Sequence, residues 1–146
     1  MYELLSLLAN GLIIGFILFQ VGLNTSVIFT KLSPENASVV LRAIFPRFFL
    51  SIFIFSFISF VFLFLASSEG LTVFISAATI ILSGICYFLI PATNNARDEG
   101  KDRLFSFYHN ISVFSTLIML VINFVSFFSY QILSNWMQYL ILSSTF

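Results

Sequence analysis

Charge is what this chain has least of. Lys, Arg, Asp and Glu supply twelve of 146 residues, six basic and six acidic, so charged side chains are 8% of the total and the net charge is zero. A water-soluble domain carries roughly 25% charged residues. A chain so poor in charge, with 60% hydrophobic residues, needs lipid as its solvent over most of its surface. The balanced charge offers no basic stripe for a polyanion, so no nucleic-acid partner is expected. Cys86 is the only cysteine, which excludes an internal disulfide and any CxxC pair for zinc or thiol redox work. No HExxH, GxSxG or Gly-rich phosphate loop occurs. The length suits one domain, residues 1–146.

Long apolar runs take the place of charge. A helix needs about 20 mostly apolar residues to cross about 30 Å of hydrocarbon. Four stretches meet that requirement: Leu4–Gly22, Phe48–Ala66, Leu71–Ile90 and Leu104–Phe128. None contains Lys, Arg, Asp or Glu, each of which would cost roughly 2.5–3.5 kcal/mol near a helix centre. The expected fold is all-α, an integral membrane four-helix bundle. The second stretch is rich in Phe and reads as lipid contact and bulky packing. The first opens Met1-Tyr2-Glu3 without the basic residues of a cleaved signal peptide, so it is expected to be retained. Trp136 and Tyr139 mark Gln131–Phe146 as a candidate short interfacial helix.

The basic residues give a direction. Lys31, Arg42 and Arg47 follow the first stretch, and Arg97, Lys101 and Arg103 follow the third. All six thus fall on one side of a four-span chain. The positive-inside rule makes segments 24–47 and 91–103 cytoplasmic loops and places both termini outside, in a bacterial inner membrane or a plasma membrane. Within the first loop, Ser33 is a candidate N-cap and Pro34 fits the first helical position. Val39, Val40, Ala43 and Ile44 then form an apolar stripe. These features predict a short interfacial helix between spans 1 and 2, broken or kinked at Pro46 before the second span.

Polar residues inside the spans keep helical spacing. Steps of three and four link Glu3, Ser6, Asn10, Gln20 and Asn24 on the first, with Ile13 and Ile17 between. They link Thr72, Ser76, Thr79, Ser83 and Cys86 on the third, and His109, Ser112, Thr116, Met119, Asn123 and Ser126 on the fourth. Lipid leaves unpaired amides and hydroxyls unsatisfied, so these stripes are expected to face one another in a polar bundle seam. That seam is either packing held by hydrogen bonds or the lining of a path for a polar or metallic guest. On the opposite face of the first span, Gly11 and Gly15 form a GxxxG match that permits a homodimer.

The single imidazole and thiol offer little chemistry. His109 can ligate metal. A structural metal site wants about four ligands, and His109, Cys86 and Met119 are the few soft or imidazole candidates. A structural hydrogen bond from His109 to a neighbouring loop or span is the simpler expectation. In Arg97–Arg103 the pair Glu99–Arg103 favours a helix, while Arg97–Lys101 and Asp98–Asp102 oppose one and Gly100 invites a break. The third helix is expected to end near Pro91–Asn95, with Asp98 or Asp102 capping the fourth.

Pro91, Asn94, Arg97 and Asp98, followed by Phe105, His109, Ser112 and Val113, form a P-x-x-N-x-x-R-D … F-x-x-x-H-x-x-S-V pattern. This pattern resembles that of the transmembrane-protein-205-like proteins, domain-of-unknown-function family 4149. Phe29, Leu32, Ala37, Phe45 and Pro46 resemble that family's stretch between spans one and two, so the likeness runs over Gly11–Phe128. Thr116 stands where the pattern often has Asn. The resemblance implies a four-span bundle without an assigned activity. That family looks related to small four-helix membrane proteins that include copper-resistance and haem-associated types, and Pro91–Asn95 is also similar to cofactor-free anthrone-oxygenase-like proteins.

The function expected is a non-enzymatic accessory, scaffold or permeation-related membrane component, with no catalytic residue and no cofactor. Pro91, Asn94, Arg97, Asp98, His109 and Ser112 form its candidate constellation, while Asn10, Gln20, Ser76, Thr79, Ser83, Thr116 and Asn123 form the polar seam. The alternatives are a haem or copper protein using His109 across a dimer, and a cofactor-free oxygenase.

Overall fold

A computed structural model describes the backbone of residues 1–68 and 70–143 and the side chains of residues 1–68 and 70–129. Helix α1 spans Tyr2–Leu18, a π-helical segment follows at Phe19–Asn24, and α2 spans Thr25–Lys31. Helix α3 spans Pro34–Leu65, α4 Leu71–Asp98 and α5 Asp102–Ser143. There are no strands among the described residues. Four helical segments are long and apolar enough to cross a membrane: Tyr2–Lys31, Pro34–Leu65, Leu71–Asp98 and Asp102–Ser129. The protein is an all-α, multi-pass membrane bundle.

α1 packs on α3 and α5, and α4 packs on the same two helices, which closes a ring of four. At its centre Ile13 and Ile17 of α1 meet Phe48, Phe49 and Ile52 of α3, Cys86 of α4 and Met119 of α5. Lipid is as apolar as these side chains, so close van der Waals packing rather than escape from water holds them together. Outward-facing Leu8, Phe57, Phe64, Phe74, Phe88 and Phe114 are exposed, as a lipid-facing surface requires.

The helices run well past the apolar stretches at the end carrying the basic residues, and this corrects the loop reading. Segments 24–47 and 91–103 are helical except around Leu32–Ser33 and Glu99–Lys101. Ser33 caps α3 as expected, its hydroxyl accepting from the Asn36 amide at 3.4 Å, with Pro34 at the helix start. No separate interfacial helix follows, because α3 continues through Pro46 without a break. The buried stripe is Ala37 and Leu41, flanked by Val40 and Ile44, and it packs on Ile28 of α2. Val39 and Ala43 point away.

Pro91 likewise lies inside α4. A proline removes one backbone N–H and crowds the preceding turn, whose carbonyls then need other donors in a low-dielectric setting. Beside Pro46 the Arg47 guanidinium donates to the Ala43 carbonyl at 2.6 Å and Ser51 donates to the Arg47 carbonyl at 2.8 Å. Beside Pro91, Thr93 donates to the Leu89 carbonyl at 2.9 Å. These bonds add donors to neighbouring turns, while the carbonyls that lose their amide donor to the prolines are those of Arg42 and Tyr87.

α4 ends instead at Asp98 and is closed by Gly100. The Lys101 amide donates to the Ala96 carbonyl at 2.8 Å and the Gly100 amide to Arg97 at 3.1 Å, a Schellman closure with Gly100 at φ 65°. Asp98 and Asp102 therefore do not cap α5 as expected: Asp98 lies in the last turn of α4 and Asp102 in the first of α5. α5 continues to Ser143 as one helix, so no separate C-terminal helix begins at Gln131. The Trp136 and Tyr139 anchors fall outside the described side chains. Gly100→Ala is expected to destabilise the fold by about 1–2 kcal/mol, the cost of a left-handed conformation with a Cβ, read as a lowered unfolding midpoint in detergent.

Candidate functional site

The middle of each polar stripe on α1, α4 and α5 faces inward, while Glu3 and His109 at the stripe ends are exposed, and a serine of α3 joins the buried members. Ser59 is fully buried. Its hydroxyl lies 2.7 Å from that of Ser6, 3.0 Å from that of Ser76, and donates to Asn10 Oδ1 at 3.0 Å. A serine hydroxyl has one proton and two lone pairs. With its proton on Asn10, Ser59 must accept from both Ser6 and Ser76, which saturates it. Asn10 Nδ2 then donates to Ser126 of α5 at 3.0 Å. One hydrogen-bonded cluster thus touches all four long helices.

A second layer lies one to three turns nearer the basic end. Asn123 Nδ2 donates to Thr79 Oγ1 at 3.0 Å and to the Met119 carbonyl at 2.8 Å. Thr79 and Ser83 return their protons to their own helix, at Ile75 and Thr79. Thr116 does the same at Ser112. The buried Cys86 thiol sits beside the hydroxyls of Ser112 and Ser115. Gln20 occupies the π-helical segment: its Oε1 accepts from Asn24 at 2.8 Å and its carbonyl from Thr25 Oγ1 at 2.7 Å. Among the described residues, Gln20 Nε2 and Asn123 Oδ1 are buried without a partner. Such orphans cost about 1–3 kcal/mol each, so this layer is less complete than the Ser59 cluster.

The candidate constellation at the basic end divides in two. Asp98 receives both terminal nitrogens of Arg42, a bidentate ion pair joining α4 to α3. Arg97 instead lies over the Phe105 ring, 5.6 Å from its centroid, and Phe105 stacks on His109 at 5.7 Å and 10°. That stack joins α4 to α5. Its cation–π contact is worth about 0.5–1 kcal/mol at an exposed site. Lys101 pairs with Glu99, whose hydrogen bond and charge raise the lysine's pKa. Both partners are exposed, so the pair steadies little.

His109 is exposed and makes no side-chain hydrogen bond among the described residues, which corrects its expected bond to a neighbouring loop or span. It also leaves the seam, whose buried members on α5 are Ser115, Thr116, Met119, Asn123 and Ser126. Ser112 is half-buried and donates to the Tyr108 carbonyl at 3.2 Å, not to the constellation. Pro91 is exposed and Asn94 half-buried on α4. Sequence reasoning missed Arg42, Ser56 and Ser59. Ser56 and Ser59 sit at helical spacing with buried Ile52 and Leu63, a stripe hidden among the phenylalanines. Arg42 stood in the expected interfacial helix and Asp98 in an expected loop, so nothing aligned the two.

Ser59→Ala removes one acceptor site from two buried serines and the donor from Asn10. It is expected to lower stability by about 1–3 kcal/mol, whereas Ser51→Ala, at a half-buried position, costs less than half as much. Parallel thermal unfolding in detergent measures the difference.

No three of His, Cys, Asp and Glu converge among the described residues. No curated protein and no solved structure matches the chain. A family model described as a domain of unknown function, DUF4149, matches residues 8–102, well over half of the chain. The match takes in the Ser59 cluster apart from Ser6 and Ser126, all three prolines and the Arg42–Asp98 pair, while His109 and Ser112 follow it. This four-span bundle belongs to the DUF4149 family.

Proposed function

We propose that this protein is a non-enzymatic accessory, scaffold or permeation-related component of the inner or plasma membrane. The observation that carries the reading is the Ser59 cluster, in which Ser6, Asn10, Ser59, Ser76 and Ser126 spend their polar groups on one another. Hydroxyls consumed by helix–helix contacts serve assembly rather than chemistry on a guest. The part of the molecule left to meet partners is the basic end. The positive-inside rule makes that end cytoplasmic and both termini external. The resemblance to transmembrane-protein-205-like proteins belongs to the same reading. If two copies associate through α1, they meet at Gly15, which has open space around it. A side chain on Gly11 would already approach Phe127 of its own chain at 3.8 Å.

Haem or copper bound by His109 across a dimer is the second reading, supported by the exposed imidazole without a hydrogen bond. Absorption spectroscopy and elemental analysis of the detergent-purified protein separate the two. The scaffold reading predicts a featureless visible spectrum and substoichiometric copper. A Soret band or stoichiometric copper lost in His109→Ala would establish the second.

Orientation has its own test. In a Cys86→Ser background, Lys31→Cys and Lys101→Cys should both react with a membrane-impermeant thiol reagent only after the cytoplasmic face is opened. Reaction of the two from opposite compartments contradicts the topology.

A further inference from the structure

A shallow, open apolar groove of about 480 Å³ lies along α4 on the outside of the bundle, with Phe53 of α3 at its edge. Phe53, Ile80, Gly84, Ile85, Phe88 and Leu89 line it. Gly84 lies on its floor opposite Phe53, where a Cβ would come into ordinary contact with the ring at 3.9 Å. Helical periodicity of 3.6 residues per turn places the Arg42–Asp98 pair in line with this groove. Ile80 and Asp98 are eighteen residues apart on α4, five full turns, and so share one face. Gly84, Pro91 and Asp98 follow at steps of seven on nearly the same line, and on α3 Pro46 and Arg42 lie two and three turns from Phe53. Asp98 stands about 14–15 Å along the helix from Phe88 and Leu89, at 1.5 Å per residue. The apolar stretch of α4 ends at Ile90 and that of α3 begins at Phe48, so Asp98 and Arg42 stand about 12 and 9 Å beyond them. The ion pair therefore sits at the outer edge of the headgroup layer, in line with the furrow.

We propose that the groove and the Arg42–Asp98 pair form one site for a phospholipid whose zwitterionic headgroup carries a primary ammonium. The pair is exposed enough to be reached, with side-chain accessibilities of 36% and 55%. Arg42 uses two of its five N–H donors on Asp98, leaving three for phosphate oxygens. Asp98 keeps lone pairs that accept from an ammonium. The dipole of phosphate and ammonium thus matches the dipole of the ion pair. A phosphate lacking an ammonium would face the Asp98 carboxylate uncompensated. A quaternary choline could neutralise that charge but has no N–H to donate. The acyl chain fills the furrow beside Gly84. The site requires only the membrane-embedded bundle, not the accessory role.

Native mass spectrometry of the delipidated protein, titrated with phosphatylethanolamine, phosphatidylglycerol and phosphatidylcholine of identical acyl chains, tests it. Phosphatidylethanolamine should bind about tenfold more tightly than the other two, the scale of one charge-assisted hydrogen bond. Asp98→Asn should erase that preference. Gly84→Leu fills the furrow without touching the ion pair and should weaken phosphatidylethanolamine binding by a similar factor at unchanged helicity. Equal affinity for the three lipids, a preference for either of the others, or a folded Gly84→Leu variant that binds like the wild type overturns the proposal.

Discussion

Hydrocarbon offers no hydrogen bonds, and the rest of this structure follows from that constraint. A hydroxyl or amide inside a span must find a partner on its own helix or on a neighbour. Thr79, Ser83, Ser112 and Thr116 take the first course, donating to carbonyls of the preceding turn. Ser6, Asn10, Ser59, Ser76 and Ser126 take the second. Their single connected pattern fixes the rotation of all four helices, because turning any one of them strands a buried polar atom. Ile13, Ile52 and Met119 can then pack in the centre with no exposure.

Much of this was legible as spacing. The inward faces of α1, α4 and α5 could be read from polar residues recurring every three or four positions, since any other orientation would point them into lipid. α3 was harder. Its two buried serines are surrounded by aromatic side chains of similar size on every face, so no contrast in polarity marks its inner surface. Pro46 and Pro91 read as helix ends because a proline disrupts an isolated helix. Here both helices continue through the proline because packing on neighbouring helices holds the register. That compensation is tertiary and leaves no local trace.

The candidate constellation had a similar fate. Asp98 and Arg97 are adjacent in sequence, yet successive helical residues point about 100° apart, so one reaches α3 and the other α5. Arg42 and Asp98 are 56 residues apart, and only the antiparallel register of two helices extended beyond the membrane core brings them together. Contrast between the two polar layers also emerges only in three dimensions. The Ser59 cluster closes on itself, while among the described residues Gln20 Nε2 and Asn123 Oδ1 remain orphaned. Gln20 lies in the π-helical segment, a local distortion that three-and-four spacing does not announce.

The central claim is that side-chain hydrogen bonds across the seam set the packing of the spans. Disulfide trapping in native membranes tests it most directly, with Ser6→Cys and Ser59→Cys combined in a Cys86→Ser background and Leu8→Cys with Phe57→Cys as the outward-facing control. The account predicts rapid intramolecular cross-linking of the 6/59 pair and none for the 8/57 pair. A 6/59 pair that stays reduced, or an 8/57 pair that forms at a comparable rate, would contradict it.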